Sequence, residues 1–137
     1  RSLNGEELPL DNGGETSRDF IFVDDMVDGL IACLLKGRVG EVYNLATGRE
    51  TKIIQLAQLI NKLTDNSASL KLLPARAWDK SGKRFASTDK AQKELGFNAK
   101  TSMEDAINIS IDWTKENYDL INKNIEKHKV FLKEKDY

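Results

Sequence analysis

The chain has one cysteine, Cys33, and one histidine, His128, among its 137 residues. A single cysteine excludes an internal disulfide and a cysteine-based metal cluster, and its position in an apolar helical pattern favours packing over a reactive thiol. His128 lies in a charged C-terminal stretch with no serine or cysteine nucleophile beside it, which argues against a hydrolytic triad. No group of His, Cys and carboxylate residues has metal-ligand spacing, so we expect no metal site.

Excess charge of one sign and long apolar runs are also lacking. The formal net charge of -1 gives no electrostatic reason to expect nucleic acid or an anionic membrane as partner. No apolar run approaches the roughly 20 residues that a membrane helix needs, and no signal-peptide pattern opens the chain. We therefore expect a cytoplasmic protein with neither partner. The length fits one domain or a fragment of a larger one.

The first half of the chain alternates patterns typical of strands and helices. Phe20 to Val23 is a short apolar run rich in β-formers and predicts a strand. Asp24 and Asp25 suit a helix start, and Gly37 ends that helix. Val42 to Leu45 predicts a second strand.

The second half continues the alternation and predicts an α/β or α+β class. The further predicted elements are a helix beginning near Thr51, a strand from Ser69 to Leu73 that Pro74 ends, a helix from Asp89 that closes at Gly96, a helix with Thr101 as N-cap and Glu104 completing a capping box, and a final helix from about Tyr118.

Basic side chains are the main candidates for binding. Arg18 precedes the first predicted strand, and the aperiodic segment 75–86 carries Trp78 and four cations, Arg76, Lys80, Lys83 and Arg84. Guanidinium groups bind diphosphates bidentately, and a loop can bring several of them to one anion. By themselves, composition and spacing favour a solvated basic loop over a phosphate site.

Two longer motifs change that weighting. Gly5 to Phe20 is similar to the pattern Gly-x-x-Leu-x-Ile-Tyr-Gly-Asp-Gly-x-x-x-Arg-Asp-Phe, and Asp89 to Phe97 is similar to Asp-x-x-Lys-Ala-x-x-x-Leu-Gly-Trp. Both belong to the extended short-chain dehydrogenase/reductases, the NAD-dependent nucleotide-sugar epimerases and dehydratases, which the chain resembles from about Gly5 to Trp113. The departures are Asp11 and Asn12 where Tyr-Gly is common, Phe97 where Trp is usual, and no residue between Asp89 and the following Lys-Ala pair, where the pattern has two.

The resemblance implies a binding role. The substrate would be a nucleotide sugar, with UDP-glucose 4-epimerases as the nearest type. The implied substrate-binding residues are Leu8, Pro9, Leu10 and Asp11 along the base, and Arg18 at the diphosphate with Arg84 as the second ligand, or Arg76 in place of Arg84.

The family's cofactor motifs are missing. Neither its Gly-x-x-Gly-x-x-Gly turn nor its Tyr-x-x-x-Lys dyad occurs in the chain, since Tyr43 is followed at the fourth position by Thr47 and Tyr118 by Asn122. The resemblance therefore implies that NAD is bound mainly outside this chain, that the chain holds no catalytic residue, and that it cannot perform the hydride step alone.

The resemblance also implies a division of the chain. Residues 1–19 and 49–116 would form the nucleotide-sugar-binding lobe, residues 20–48 a strand-helix-strand from the edge of a Rossmann-like parallel sheet, and residues 117–137 a helical extension. The fragment would then expose apolar faces. Members of the family are often dimers, so the resemblance allows a homodimer for the full-length enzyme but does not fix its oligomeric state.

Three alternatives stay open at this stage. One is a stand-alone nucleotide-sugar-binding or assembly module without catalysis, and another is a dehydratase or decarboxylase of the same family. An unrelated α/β domain with a basic loop is the third. A Gly-rich turn and a Tyr-x-x-x-Lys dyad encoded upstream of Arg1 would distinguish the enzyme from the module.

Overall fold

The structure is a computed structural model that describes residues 1–79 and 81–132. Its helices are α1 (Val23–Lys36), α2 (Ile53–Leu63), α3 (Asp89–Leu95), α4 (Met103–Glu116) and α5 (Tyr118–Leu132). Its strands are β1 (Leu8–Leu10), β2 (Ser17–Arg18), β3 (Thr51–Lys52) and β4 (Leu70–Leu72). Helices and short strands alternate along the chain, and the predicted mixed α/β class is confirmed.

The strands form two small ladders. β1 pairs with β4 in parallel, with Leu8 opposite Leu70, and β2 pairs with β3 antiparallel, with Ser17 opposite Lys52. The predicted strand at residues 69–73 is therefore confirmed as β4. β1 and β2 are too short, at three and two residues, to show an apolar alternation in the sequence.

The strands predicted at residues 20–23 and 42–45 are wrong. Phe22 has an extended backbone, with φ −72° and ψ 148°, but Val23 already begins α1, and neither segment joins a ladder within the described residues. Residues that favour strands form one only where a neighbouring strand pairs with their N–H and C=O groups. The described chain places no such neighbour beside these two segments.

The predicted helix boundaries are mostly confirmed. Asp24 and Asp25 lie in the first turn of α1, where carboxylates favour the helix dipole, and the N–H of Gly37 closes its last turn on the carbonyl of Cys33 at 2.8 Å. Gly96 ends α3 with φ +70°, a left-handed conformation in which glycine costs least.

The predicted cap of α4 is wrong by one residue. Ser102, not Thr101, is the N-cap: its hydroxyl oxygen accepts from the N–H of Asp105 at 3.1 Å. The sequence holds two overlapping capping patterns, Thr101 with Glu104 and Ser102 with Asp105. Tertiary contact decides between them, because the N–H of Thr101 donates to the Asp25 carboxylate at 2.9 Å.

The core lies where α1 meets α3. Ala91, Leu95 and Phe97 are buried together, at 1–5% exposed. A methyl group added to Gly29 of α1 would come within 2.9 Å of the Phe97 ring, so this glycine allows close helix packing. The other buried apolar side chains in the described residues are Leu10, Ala57, Ile107 and Ile111.

A second apolar face of α1 is exposed. Its side chains lie at helical spacing and expose between 46% and 83% of their area; they are Val23, Val27, Leu30, Ile31 and Leu34. Exposed stripes of this extent usually mark a contact surface. In the described part of the chain, no helix combines the length and apolar character that crossing a bilayer requires.

The turn that follows β1 is tightly packed against α2. Gly13 and Gly14 both have positive φ, +59° and +75°. A Cβ on Gly14 would lie 2.9 Å from the backbone nitrogen and the Cβ of Ile54, whereas a Cβ on Gly13 meets no described atom within 4 Å.

We therefore expect Gly13→Ala and Gly14→Ala to differ in stability. Both variants lose about 1–2 kcal/mol of stability, because the alanine must adopt a left-handed backbone conformation. Gly14→Ala loses roughly 1–3 kcal/mol more, because the added methyl displaces Ile54. Urea denaturation of both variants measures the difference, and equal free energies of unfolding would contradict the packing described here.

Asp25 links α1 to the segment before α4. Its side chain is 6% exposed, and its two carboxylate oxygens accept from the N–H groups of Lys100 at 3.1 Å and Thr101 at 2.9 Å. Burial acts most strongly and raises the pKa of Asp25, but the hydrogen bonds from Thr101 and Lys100 together outweigh it, so the pKa lies below its ordinary value.

Asp25→Asn should weaken folding by about 2 kcal/mol at neutral pH, because the amide cannot accept both hydrogen bonds as a charged group. The stabilisation is fully present above the unfolded-state pKa of about 3.9 and is lost as pH falls through the lower folded-state pKa. The difference in the free energy of unfolding between wild type and Asp25→Asn therefore becomes smaller in acid. Urea denaturation between neutral and acidic pH tests this.

Asp24→Asn is the matched control. Asp24 is exposed and lies in the same first turn of α1, so its variant loses the same interaction with the helix dipole but no loop hydrogen bond. A pH-independent gap for Asp25→Asn, or an equal loss for Asp24→Asn, would show that the Asp25 carboxylate does not fix this segment.

Candidate functional site

Ser17 joins three segments of the chain. Its side chain is fully buried, and its hydroxyl donates to Glu50 at 2.8 Å. On its other side its N–H donates to the carbonyl of Gly82 at 3.3 Å, and its carbonyl accepts from the N–H of Arg84 at 3.2 Å. Residues 82–84 therefore run along β2 and carry Arg84 toward Arg18.

The side chain of Arg18 is held by the same loop. Its Nη1 donates to the carbonyls of Ser17 at 2.6 Å and Gly82 at 3.0 Å, and its Nη2 donates to the Ser81 hydroxyl at 2.6 Å. These three bonds use three of the five guanidinium N–H groups. In the described part of the chain, Nε and the second N–H of Nη2 form no hydrogen bond, although the carboxylate of Asp79 lies 4.0 Å from Nη2.

Arg18 and Arg84 line one open depression of about 660 Å³, together with Trp78, Asp79 and Ser81. Arg84 is exposed, and no described carboxylate forms an ion pair with it. The depression thus combines one fixed guanidinium and one exposed guanidinium. Such a pair is suited to an anion with several oxygens.

Asp79 supplies the negative charge of this depression. The hydroxyl and the N–H of Ser81 both donate to its carboxylate, the N–H at 2.9 Å, and these bonds hold the pKa of Asp79 below its ordinary value. The charges of Arg18 and Arg84 lower the pKa further. Asp79 therefore stays ionised at neutral pH, and its oxygen lies 4.0 Å from Nη2 of Arg18.

Arg76 lies in a neighbouring depression. It forms an ion pair with Asp11, and its guanidinium lies 5.5 Å from the centroid of the Trp78 ring. Arg76, Asp11 and Pro9 line a space of about 350 Å³ at the end of β1. Arg76 lines this depression, Trp78 lines the one with Arg18, and the two side chains are in contact.

The predicted base-side residues do not share one face. Pro9 and Asp11 line the depression with Arg76, while Leu10 is 4% exposed and belongs to the core. Leu8 lines a different cavity beside Ile60. Successive side chains of a strand point to opposite faces, so Pro9 lies on the other face from Leu8 and Leu10. Only the backbone of β1 could therefore offer Leu8 and Leu10 to a base.

The predicted cations of the loop also lie in different places. Lys83 lies 3.5 Å from Glu50, where its charge, after the hydrogen bond from the Ser17 hydroxyl, contributes to the lowered pKa of that carboxyl. Lys80 lies outside the described residues. Of the four loop cations, Arg84 alone is placed beside Arg18 by the described structure.

The residues that hold the arginines are not among those predicted from the sequence. Ser17, Asp79 and Ser81 lie in short or aperiodic segments, where hydrophobic spacing carries no signal. Asp19 was also missed: its carboxylate accepts from the N–H groups of Thr47 and Gly48, both at 2.9 Å. Its place in the Arg-Asp-Phe motif was the one available signal.

The described side chains that line the depression are two arginines, an aspartate, a serine and a tryptophan. Neither a histidine nor a cysteine lines it. No group of three or more His, Cys, Asp or Glu residues that could hold a metal ion occurs among the described residues. The chemistry that the depression supports is anion recognition.

Comparisons with known proteins show which family and which solved structures the chain is similar to. Residues 1–46 match the NAD dependent epimerase/dehydratase family. The structure is similar to WbmF of Bordetella bronchiseptica in complex with NAD+ and UDP, with a TM-score of 0.85 and 46% identity over 98% of this chain. It is also similar to the UDP-glucose 4-epimerase of Thermotoga maritima with UDP-glucose, with a TM-score of 0.81 and 31% identity over 86% of this chain.

The chain covers only part of each relative. A bifunctional UDP-glucose 4-epimerase and UDP-xylose 4-epimerase of Pisum sativum is 36% identical over 121 residues, which is 85% of this chain and 34% of the relative. The covered share is 39% for WbmF and 38% for the Thermotoga enzyme. The chain therefore spans between a third and two fifths of the length of these relatives.

Proposed function

Because the chain belongs to the NAD-dependent epimerase/dehydratase family and matches the C-terminal part of its longer members, we propose that it holds the nucleoside diphosphate of a nucleotide-sugar substrate. The complete enzyme would be a UDP-sugar epimerase, of the UDP-glucose 4-epimerase type. This chain would bind and orient the substrate and would be inactive alone.

The observation that carries the proposal is the shared depression of Arg18 and Arg84. Arg18 is fixed by three hydrogen bonds before any ligand arrives, so little side-chain entropy is lost when it binds a phosphate. Arg84 has no described ion pair to break. One guanidinium for each phosphate of a diphosphate matches the charge and the planar geometry of these groups.

UDP is the nucleotide that the relatives favour. WbmF was solved with UDP and the Thermotoga enzyme with UDP-glucose, and the pea relative is named for UDP-sugars. We place the base beside Pro9 and Asp11, with the backbone of Leu8 and Leu10 behind it. Arg76, which pairs with Asp11, would border the base rather than hold the second phosphate.

NAD would be bound mainly by residues outside this chain. Dinucleotide-binding folds hold the cofactor's pyrophosphate at a glycine-rich turn before a helix N-terminus, but α1 carries Asp24 and Asp25 in its first turn, where their charge repels phosphate. The N-terminus of α1 therefore does not fit the cofactor's pyrophosphate, and we assign no catalytic residue to the chain. In the family, NAD supplies the hydride chemistry.

The same proposal divides the chain. Residues 1–19 and 49–116 would build the substrate lobe, and residues 20–48 would belong to the edge of the cofactor domain. The exposed apolar face of α1 and the unpaired segments beside it support that assignment. Residues 117–137 would be a helical extension; residues 133–137 lie outside the described part. The complete enzyme would be cytoplasmic.

The contribution to catalysis would be orientation. Binding energy from the nucleoside diphosphate, remote from the reacting carbon, would hold the sugar in position against the nicotinamide. Arg18 suits this role because its side chain is already fixed, so the position of its guanidinium would set the position of the bound phosphate. The position of the sugar would then depend on β2 and on the loop 81–84.

Arg18→Ala and Arg84→Ala should each weaken UDP binding at least about tenfold, since a hydrogen bond to a charged group is worth roughly 1.5–3 kcal/mol. Isothermal titration calorimetry of the chain with UDP measures the dissociation constants. Circular dichroism of each variant reports whether the fold persists.

Arg38→Ala is the matched control. Arg38 pairs with Glu94 at 2.7 Å and lies outside the depression, so its loss should leave UDP affinity within about twofold of wild type if the site is local. Unchanged affinity in both Arg18→Ala and Arg84→Ala, or an equal loss in Arg38→Ala, would overturn the diphosphate assignment.

A further inference from the structure

Trp78 is an unusual feature of the loop that forms the site. Its side chain is 75% exposed, although indole is among the most favourable groups to bury. A single exposed aromatic residue needs no explanation by itself. Trp78, however, lines the same depression as Arg18 and Arg84, and its ring contacts Arg76, which lines the depression at the end of β1.

The indole is held from one side. The guanidinium of Arg76 lies 5.5 Å from its ring centroid, a cation–π distance, and Arg76 is itself tied to Asp11 by an ion pair. This contact orients the ring although little of it is buried. Trp78 thus stands where a ligand that extends from the phosphate side toward Pro9 and Asp11 would pass.

We propose that Trp78 is a specificity-determining residue whose indole packs against the nucleoside half of a nucleoside diphosphate bound at Arg18 and Arg84. The inference rests on the proposed function of this depression and names what selects its ligand. Two guanidinium groups attract any diphosphate, pyrophosphate included, and cannot recognise a nucleoside. An aromatic face adds attraction only when the ligand brings a ring to stack on it.

The expected signature is a change in ligand preference. Stacking of a base on an aromatic side chain corresponds to roughly a fivefold to hundredfold change in affinity on substitution by alanine. Trp78→Ala should therefore weaken UDP binding at least about fivefold while pyrophosphate binding stays within about twofold of wild type. Trp78→Phe, which keeps an aromatic face, should retain most of the UDP affinity.

The experiment is calorimetric titration of the 137-residue chain and its variants with UDP, UDP-glucose and inorganic pyrophosphate. Trp113→Ala is the matched control, because Trp113 is the other tryptophan, is 57% exposed and lies on α4 beside Ile109, outside the depression. In a Trp113→Phe background Trp78 is the sole indole, and its fluorescence should change with UDP more than with pyrophosphate.

Each other outcome counts against the inference. Unchanged UDP affinity in Trp78→Ala, or an equal loss for UDP and pyrophosphate, would show that the indole only shapes the loop. A loss confined to UDP-glucose would place the sugar, not the nucleoside, on the ring. If the wild-type chain binds neither pyrophosphate nor UDP, the diphosphate site itself is wrong; if it binds pyrophosphate as tightly as UDP, only the role of Trp78 falls.

Discussion

The pairing of Ser17 on both of its edges is the constraint on which the candidate site depends. One edge joins β3 and the other joins residues 82–84, and the buried hydroxyl of Ser17 closes on Glu50. Arg18 follows Ser17 directly, so its direction is set by a residue that cannot move without breaking all these contacts. Backbone hydrogen bonds here offset the entropic cost of closing a loop of more than sixty residues.

The acidic residues that follow Ser17 extend the same arrangement. Asp19 accepts from the backbone of Thr47 and Gly48, and Asp25 accepts from the backbone of Lys100 and Thr101. Each carboxylate thus satisfies two N–H groups of a distant loop, which have no partner in a ladder or helix. The acidic character of this motif is explained by its structural role, and no general acid or base is needed to account for it.

Helix signals were local enough to be predicted from the sequence: acidic first turns, Gly37 and Gly96 placed α1 and α3, and Pro74 placed the end of β4. Pairing was not. The segments 20–23 and 42–45 have strand composition, but a ladder needs a neighbour that residue preferences cannot supply. Arg18 and Arg84 are 66 positions apart in the sequence, so no spacing rule could join them. The family resemblance suggested Arg18 and Arg84 as diphosphate ligands, and the structure places both side chains in one depression.

The charge arrangement of that depression explains how it exists without a ligand. Two guanidinium groups in one space repel each other, and an ionised Asp79 offsets part of that repulsion. Ser81 donates both to Asp79 and, in the opposite sense, accepts from Arg18, so one hydroxyl couples the carboxylate to the fixed arginine. An arriving anion would meet the exposed Arg84 first, because Arg18 is already committed to the loop. The site is therefore organised as one fixed arginine and one exposed arginine, and the fixed one carries the positional information.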